Sequence, residues 1–310
     1  APRFTDFAEP KPEAGEVLVE VSAAPLNALD RAIAAGTHYS KPTQFPVVCG
    51  VTGVGRLPDG SRVMLAGVRA PFGTMAERAV VDPSRVFTLP DGIDDALAAA
   101  AFNPGMSAWQ TLEWRAKLLK GERVLILGAT GVTGQLAVQF ARRLGAGEIV
   151  VAGRNRELLS QLRALGADAL IELEQPEAQL EAAFRSAAGA QGFDVIVDYL
   201  WGRPLEILLR AITVHDLTTR GKRMRLVQVG EMAGSHISLP AGALRSTALE
   251  ILGSGTGSTP PPDVLRRALP ELLDGLARGE LTMNIERIPL AEVSEHWHRD
   301  HRGRRLVFIP

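Results

Sequence analysis

The chain has 310 residues, a formal net charge of -1, 46% hydrophobic residues and 22% charged residues, enough to bury a large core and divide into about two domains. Acidic and basic residues interleave, so no extended cationic face is offered to nucleic acid or to an anionic membrane. The single cysteine, Cys49, excludes an intrachain disulfide and a zinc site built from several thiolates. With no charged-then-apolar leader in Ala1-Pro-Arg-Phe4, this points to a cytoplasmic protein without nucleic-acid or membrane partners.

The sequence opens without methionine, which fits the loss of a residue or of a short first strand. From Glu16 to about Pro90 it is rich in glycine and proline, and short alternating runs stand at Val17–Val21, Arg62–Leu65, Met75–Val81 and Val86–Leu89. That pattern predicts an antiparallel, barrel-like domain. Cys49 follows the apolar Phe45–Val48 segment and reads as a buried, inert thiol. Asp95–Ala101 starts a helix too short to span a bilayer, Asn103-Pro104-Gly105 is expected to break it, and Met106–Leu112 to resume it. A domain boundary is placed there.

Next comes the most informative stretch. Val124–Leu127 is an apolar strand, Gly128-Ala-Thr-Gly131-Val-Thr-Gly134 a glycine turn, and Leu136–Leu144 an amphipathic helix. Strand, glycine turn and helix in this order present backbone N–H groups and the positive end of a helix dipole to a dinucleotide pyrophosphate. Gly128, Thr130, Gly131, Val132, Thr133 and Gly134 are the residues expected to line it. Roughly twenty residues further, where a site for unphosphorylated coenzyme carries Asp or Glu, the chain has Gly153-Arg154-Asn155-Arg156 after the strand Ile149–Ala152. A cation suits a 2′-phosphate, so Gly153, Arg154 and Arg156 point to NADPH.

Further apolar strands at Ala169–Leu173, Val195–Val197, Leu226–Val229 and Leu249–Leu252, separated mainly by helical segments such as Leu205–Ile212, complete a six-stranded, doubly wound parallel sheet. A polar Gly/Ser/Thr/Pro segment after Gly253 leads to a helix at Asp263–Arg278, a strand at Ile285–Leu290, a helix at Ala291–Arg302 and a strand at Leu306–Ile309. These closing elements are expected to rejoin the first domain. His296, His298 and His301 cluster there, with 298 and 301 on one helix face, but without a matching carboxylate and among repelling arginines. No metal site is expected.

Together these segments resemble the zinc-free quinone oxidoreductase branch of the medium-chain dehydrogenase/reductase superfamily over nearly the whole chain. The resemblance rests on Pro12–Val19, Pro25-Leu-Asn27-Ala-Leu-Asp30 with Gly36, Gly73–Val81, Gly105-Met-Ser-Ala108, the glycine turn, Leu165–Asp168, Asp194–Asp198 and Gly303–Val307. It implies a GroES-like β-barrel domain over residues 1–103, completed by a C-terminal return over 256–310, around a Rossmann domain at 104–255. The zinc enzymes of that superfamily carry a cysteine and a Gly-His-Glu run as metal ligands. Asn27 and Gly50-Val51-Thr52 stand in those places here, so neither this site nor the superfamily's cysteine-built structural zinc site is available.

The resemblance also implies site residues: Asn27 beside the nicotinamide, Tyr39 in the acceptor pocket, Ser107 in place of a common threonine, Gly230, Gly253 and Ser254 along the nicotinamide half, and Arg304 near the coenzyme. Plainer roles exist for each, a self-capping loop residue for Asn27, packing for Tyr39, a small helix residue for Ser107 and a solvated cation for Arg304. The chain departs from the family at Gly128 and Val132, at Leu173, where a tyrosine is usual, and at Tyr199-Leu-Trp201. The implied activity is metal-independent hydride transfer from NADPH to a quinone or related conjugated carbonyl, held in a cleft between the domains. The alternatives are reduction of an enone or enoyl-thioester double bond, or a catalytically silent NADPH sensor with Tyr199 and Trp201 filling the nicotinamide site. A homodimer pairing through Leu249–Ser254 is the family expectation. The glycine motif also resembles short-chain enzymes and redox sensors, but more than a hundred residues precede it and neither tyrosine is followed by a lysine four residues on.

Overall fold

The computed structural model describes residues 2–38, 42–213, 222–255, 257–258, 260–301 and 303–310. In chain order the strands are β1 (Val17–Pro25), β2 (Thr52–Arg56), β3 (Arg62–Ala66), β4 (Arg78–Val81) and β5 (Val86–Thr88). Then follow β6 (Arg123–Leu127), β7 (Glu148–Gly153), β8 (Ala169–Glu172), β9 (Val195–Asp198), β10 (Met224–Gln228) and β11 (Leu249–Gly253), and finally β12 (Ile285–Pro289) and β13 (Arg305–Ile309). The chain divides into two compact units, Ala1–Pro104 with Leu269–Pro310, and Gly105–Ala268.

In the first unit seven strands form one sheet, in the order β12-β13-β1-β2-β3-β5, with β4 also on β1. β13 runs antiparallel to β1 and parallel to β12, so the closing strands pair within this sheet, while the part of the expected return before Leu269 groups with the second unit. The expected barrel is not a closed one: among the described residues no pairing joins β12 to β5. β2 has no apolar alternation to mark it, because two of its five residues are glycines. A Cβ on Gly55 would fall 2.3 Å from the carbonyl oxygen of Glu20 and one on Gly53 would fall 3.0 Å from that of Ala23, so β1 approaches closely where side chains are absent. Met75–Val81 is a strand only over Arg78–Val81. The expected helix over 291–302 is a single 3-10 turn at Leu290–Glu292 and a short α-helix at Val293–His296, which ends before His298 and His301.

In the second unit all six strands are parallel, in the order β11-β10-β9-β6-β7-β8. Val124, Leu125, Ile126 and Leu127 are all buried, as are Val195, Ile196 and Val197, the mark of a sheet covered on both faces. The order reverses between β6 and β9, so the ends of Leu127 and Asp198 flank the topological switch point, where such sheets bind ligands.

Pro104 does not break its helix. Asp95–Trp109 is continuous and runs on into a π-helical turn at Gln110–Arg115. Proline removes one intrahelical donor, but Ala98, Ala99, Ala100, Ala101, Ala108 and Trp109 are completely buried, and that packing outweighs the lost bond. The far end is capped from a distance: Arg225 Nη1 donates to the carbonyls of Ala116 (2.6 Å) and Lys117 (3.0 Å), while its other nitrogen pairs with Glu122.

Candidate functional site

The glycine turn is built as its sequence demands. Gly128 leaves β6 with φ +83°, where a side chain would be strained and would press on Leu200. Gly131 is the N-cap of the helix Val132–Arg143. A Cβ on Gly134 would lie 2.5 Å from both the Gly128 oxygen and Ala129 Cα, and one on Gly153 would lie 2.4 Å from Thr130 Cγ2. The turn is therefore closed tightly onto β6 and β7, with the first N–H groups of a helix of 12 residues left without intrahelical partners. The Thr130 carbonyl accepts from Gln135 Nε2 at 3.1 Å, which fixes the turn from behind. The residues Gly128, Thr130, Gly131, Val132, Thr133, Gly134 and Gly153 thus form one cradle, which suits a pyrophosphate by backbone donors alone.

The two arginines beyond Gly153 differ. Arg156 donates to Glu172 through Nε (3.1 Å) and Nη2 (2.6 Å). Arg154 is exposed, and its guanidinium has no ion-pair or hydrogen-bond partner among the described residues. A phosphate contact at Arg154 is therefore open to solvent rather than enclosed, which lowers what it contributes. Asn155 is an N-cap, its Oδ1 accepting from the Leu158 amide at 3.0 Å.

Asp198, at the end of β9, stands in the sequence as one member of the Asp194–Asp198 motif with no role of its own. It is completely buried, Oδ1 accepts from the amides of Leu200 (2.8 Å) and Trp201 (3.0 Å), and Oδ2 has no partner among the described residues. Burial pushes its carboxyl up to about 6 against the pull of those two amides. Trp201 is half-buried against the core formed by β6, β7, β9 and their helices, and Tyr199 is buried close to it in sequence. Gly230 follows β10 beneath the Tyr199 carbonyl, which a Cβ would approach to 2.7 Å. Gly253 is exposed at the end of β11, while Ser254 is buried, donating its amide to the Gln228 carbonyl (2.8 Å) and accepting from Thr111 Oγ1 (3.3 Å). Ser107 is half-buried on its helix.

In the first unit Asn27 is buried at the start of the helix Ala28–Ala34. As the N-cap it forms a capping box with Asp30, its Nδ2 lies 3.4 Å from Thr52 Oγ1, and Oδ1 makes no bond of full hydrogen-bond geometry among the described residues. An amide with acceptor capacity left suits a ligand that donates a hydroxyl or N–H. Asp30, one turn on, accepts the amides of Asn27 (2.8 Å) and Val51 (3.0 Å). Burial raises its carboxyl, and the two amides and the Arg305 charge oppose that rise. Arg305 is pushed down to about 10 by burial, with Asp30 opposing, and donates to the Leu26 carbonyl at 2.8 Å. This cluster was missed in the sequence, where only the spacing Asn27–Asp30 hinted at a local cap. Cys49 is half-buried, its thiol pushed up to about 11 by burial and then by Asp30, so it is a poor nucleophile. Tyr39 lies outside the described residues. Arg304 is half-exposed and stands 3.7 Å from Glu286.

Asn27, Val51 and Thr52 carry none of the thiolate, imidazole or carboxylate donors that zinc takes, so these residues do not fit a catalytic zinc. No group of three or more His, Cys, Asp or Glu among the described residues could hold a metal ion. No described helix is long and apolar enough to cross a membrane.

The family model described as zinc-binding dehydrogenase matches residues 132–274, which begin at the helix of the glycine turn. The "Probable NADPH-dependent quinone reductase tdiC" of Emericella nidulans is 26% identical over 100% of this chain and 96% of its own length. A crystal structure of the quinone oxidoreductase from Thermus thermophilus, also solved as its complex with NADPH, is 27% identical, covers 99% of this chain and 95% of that one, and superposes with a TM-score of 0.81. Over its whole length the chain is thus similar to quinone oxidoreductases, and over residues 132–274 to the zinc-binding dehydrogenase family, as the resemblance to the zinc-free branch of the medium-chain dehydrogenase/reductase superfamily implied. A mycocerosic acid synthase-like polyketide synthase of Mycobacterium tuberculosis is 32% identical over 99% of this chain, which spans only 15% of that synthase.

Proposed function

We propose that this chain is a medium-chain dehydrogenase/reductase that oxidises NADPH and delivers the hydride, without a metal ion, to a quinone or a related conjugated carbonyl. The observation that carries the reading is the glycine cradle at the switch point joined to Arg154, a cation unpaired among the described residues where an acidic residue would mark the unphosphorylated coenzyme. The amides of residues 131–134 hold the pyrophosphate, and Arg154 meets the 2′-phosphate. NADPH, when bound, supplies the hydride. A conjugated acceptor is already polarised, so the chain's task is orientation and exclusion of water, and a proton from solvent completes the reduced product. Asn27 and Tyr39 serve the acceptor side in this reading, with Ser107, Gly230, Gly253, Ser254 and Arg304 supporting the coenzyme. Arg156, paired with Glu172, takes a lesser part than Arg154.

Steady-state oxidation of NADPH with 1,4-benzoquinone, an alkenal and a crotonyl thioester tests this. Turnover with the quinone is the expected result. Turnover with the thioester alone assigns the chain to double-bond reduction, and tight NADPH binding with no turnover on any of them makes it a sensor. The lone, weakly acidic Cys49 thiol suits the reducing cytoplasm. The edge strand β11, which among the described residues pairs only with β10 and leaves Ile251 partly exposed, suits a homodimer, and sedimentation as a monomer at micromolar concentration would rule that out.

A further inference from the structure

Arg156 and Glu172 form a feature that coenzyme binding alone does not require. β8 lies beside β7 with Glu172 opposite Gly153, so its carboxylate stands at the same strand end as the glycine cradle. That carboxylate accepts two bonds from Arg156, at 3.1 and 2.6 Å. Three charges therefore gather around Gly153: the Arg156–Glu172 pair, which sums to zero, and Arg154, whose guanidinium is unpaired among the described residues.

We propose that Glu172 is a specificity-determining residue that restrains the preference of this chain for NADPH over NADH, a proposal that rests on the 2′-phosphate lying at residues 153–156 as read above. A carboxylate beside a phosphate dianion repels it, and by holding Arg156 it withholds a second cation. The same carboxylate can accept from an unphosphorylated ribose hydroxyl, the role acidic residues play in sites for NADH. Glu172 thus disfavours NADPH and spares NADH, and Arg156 limits the penalty. Because Arg156 is 82% exposed, solvent and salt keep the effect to a few-fold.

Dissociation constants for NADPH and NADH, measured by calorimetry at low salt on the wild-type chain and on Glu172→Gln, Arg156→Gln and the double variant, test this. Glu172→Gln is expected to tighten NADPH about two- to fivefold while moving NADH by less than about twofold or weakening it. Arg156→Gln is expected to weaken NADPH, and the double variant to return near the wild type. Unchanged or weaker NADPH binding in Glu172→Gln overturns the proposal, since Glu172 would then be inert or would be presenting Arg156 to the phosphate. Wild-type chain that binds both coenzymes equally, with Arg154→Ala leaving both unchanged, instead defeats the coenzyme reading on which the proposal stands. Arg154 and Arg156 are exposed and Glu172 is half-buried, and circular dichroism with an unaltered melting midpoint separates binding effects from misfolding.

Discussion

In the unit proposed to bind the coenzyme, the groups assigned to it are backbone amides of one contiguous segment, residues 128–134, where glycine lets strands and helix close together. In the other unit the polar groups are side chains from segments far apart in sequence, Asn27, Asp30, Thr52 and Arg305, and each is buried or held by a buried neighbour. The first arrangement costs conformational freedom and tolerates exposure. The second costs desolvation, so its stability depends on every partner being present.

The most severe break in this contrast is Asp30→Ala, which strands the amides of Asn27 and Val51. It is expected to lower stability by about 2–5 kcal/mol, read as the denaturation midpoint, and to leave the glycine cradle of the surviving folded protein intact. A loss below about 1 kcal/mol would show that water reaches those amides. Asp198 offers the opposite sign within the parallel-sheet unit. Its folded carboxyl stands at about 6 against 3.8, so the folded chain holds its proton more tightly and this one group lowers stability as pH rises from about 4 to about 6. Asp198→Asn is therefore expected to gain up to about 3 kcal/mol at about pH 7.5, with the gain shrinking toward about pH 4.5. A gain independent of pH would mean that ionisation is not the cause.

Gly134→Ala places a methyl against two backbone atoms that cannot move aside. A loss of about 1–3 kcal/mol in stability is expected, together with weaker binding of NADPH and NADH alike, measured by fluorescence titration. The smallest effect sharpens the comparison within one site: Arg154→Asp should weaken NADPH by about 1–2 kcal/mol more than NADH, less than for an enclosed charge because Arg154 is exposed. Equal changes for the two coenzymes would remove Arg154 from phosphate recognition.

These expectations track what was legible in the sequence. The six parallel strands could be read because each is a largely apolar run, the central ones buried on both faces, and the glycine turn because its spacing has a local steric cause. β2 was hidden by Gly53 and Gly55, whose value lies in what approaches them from β1. Pro104 does not act as the helix breaker its residue type predicts, because buried alanines pack around it. The helix expected through His298 and His301 ends at His296, so an arrangement of histidines on one helix face had no helix to carry it.

From the order of residues alone came the doubly wound sheet, the glycine cradle and the basic character of the position after Gly153, because backbone donors, helix periodicity and strand burial are set by neighbours a few residues apart. Tertiary structure alone decided that Arg156 is neutralised by Glu172 while Arg154 stays unpaired among the described residues, that Asp198 is buried with one bare oxygen, and that Asp30 shares its surroundings with Val51 and Arg305. Charge compensation and desolvation depend on which distant segments the folded chain brings within a few ångströms, and no local pattern encodes that.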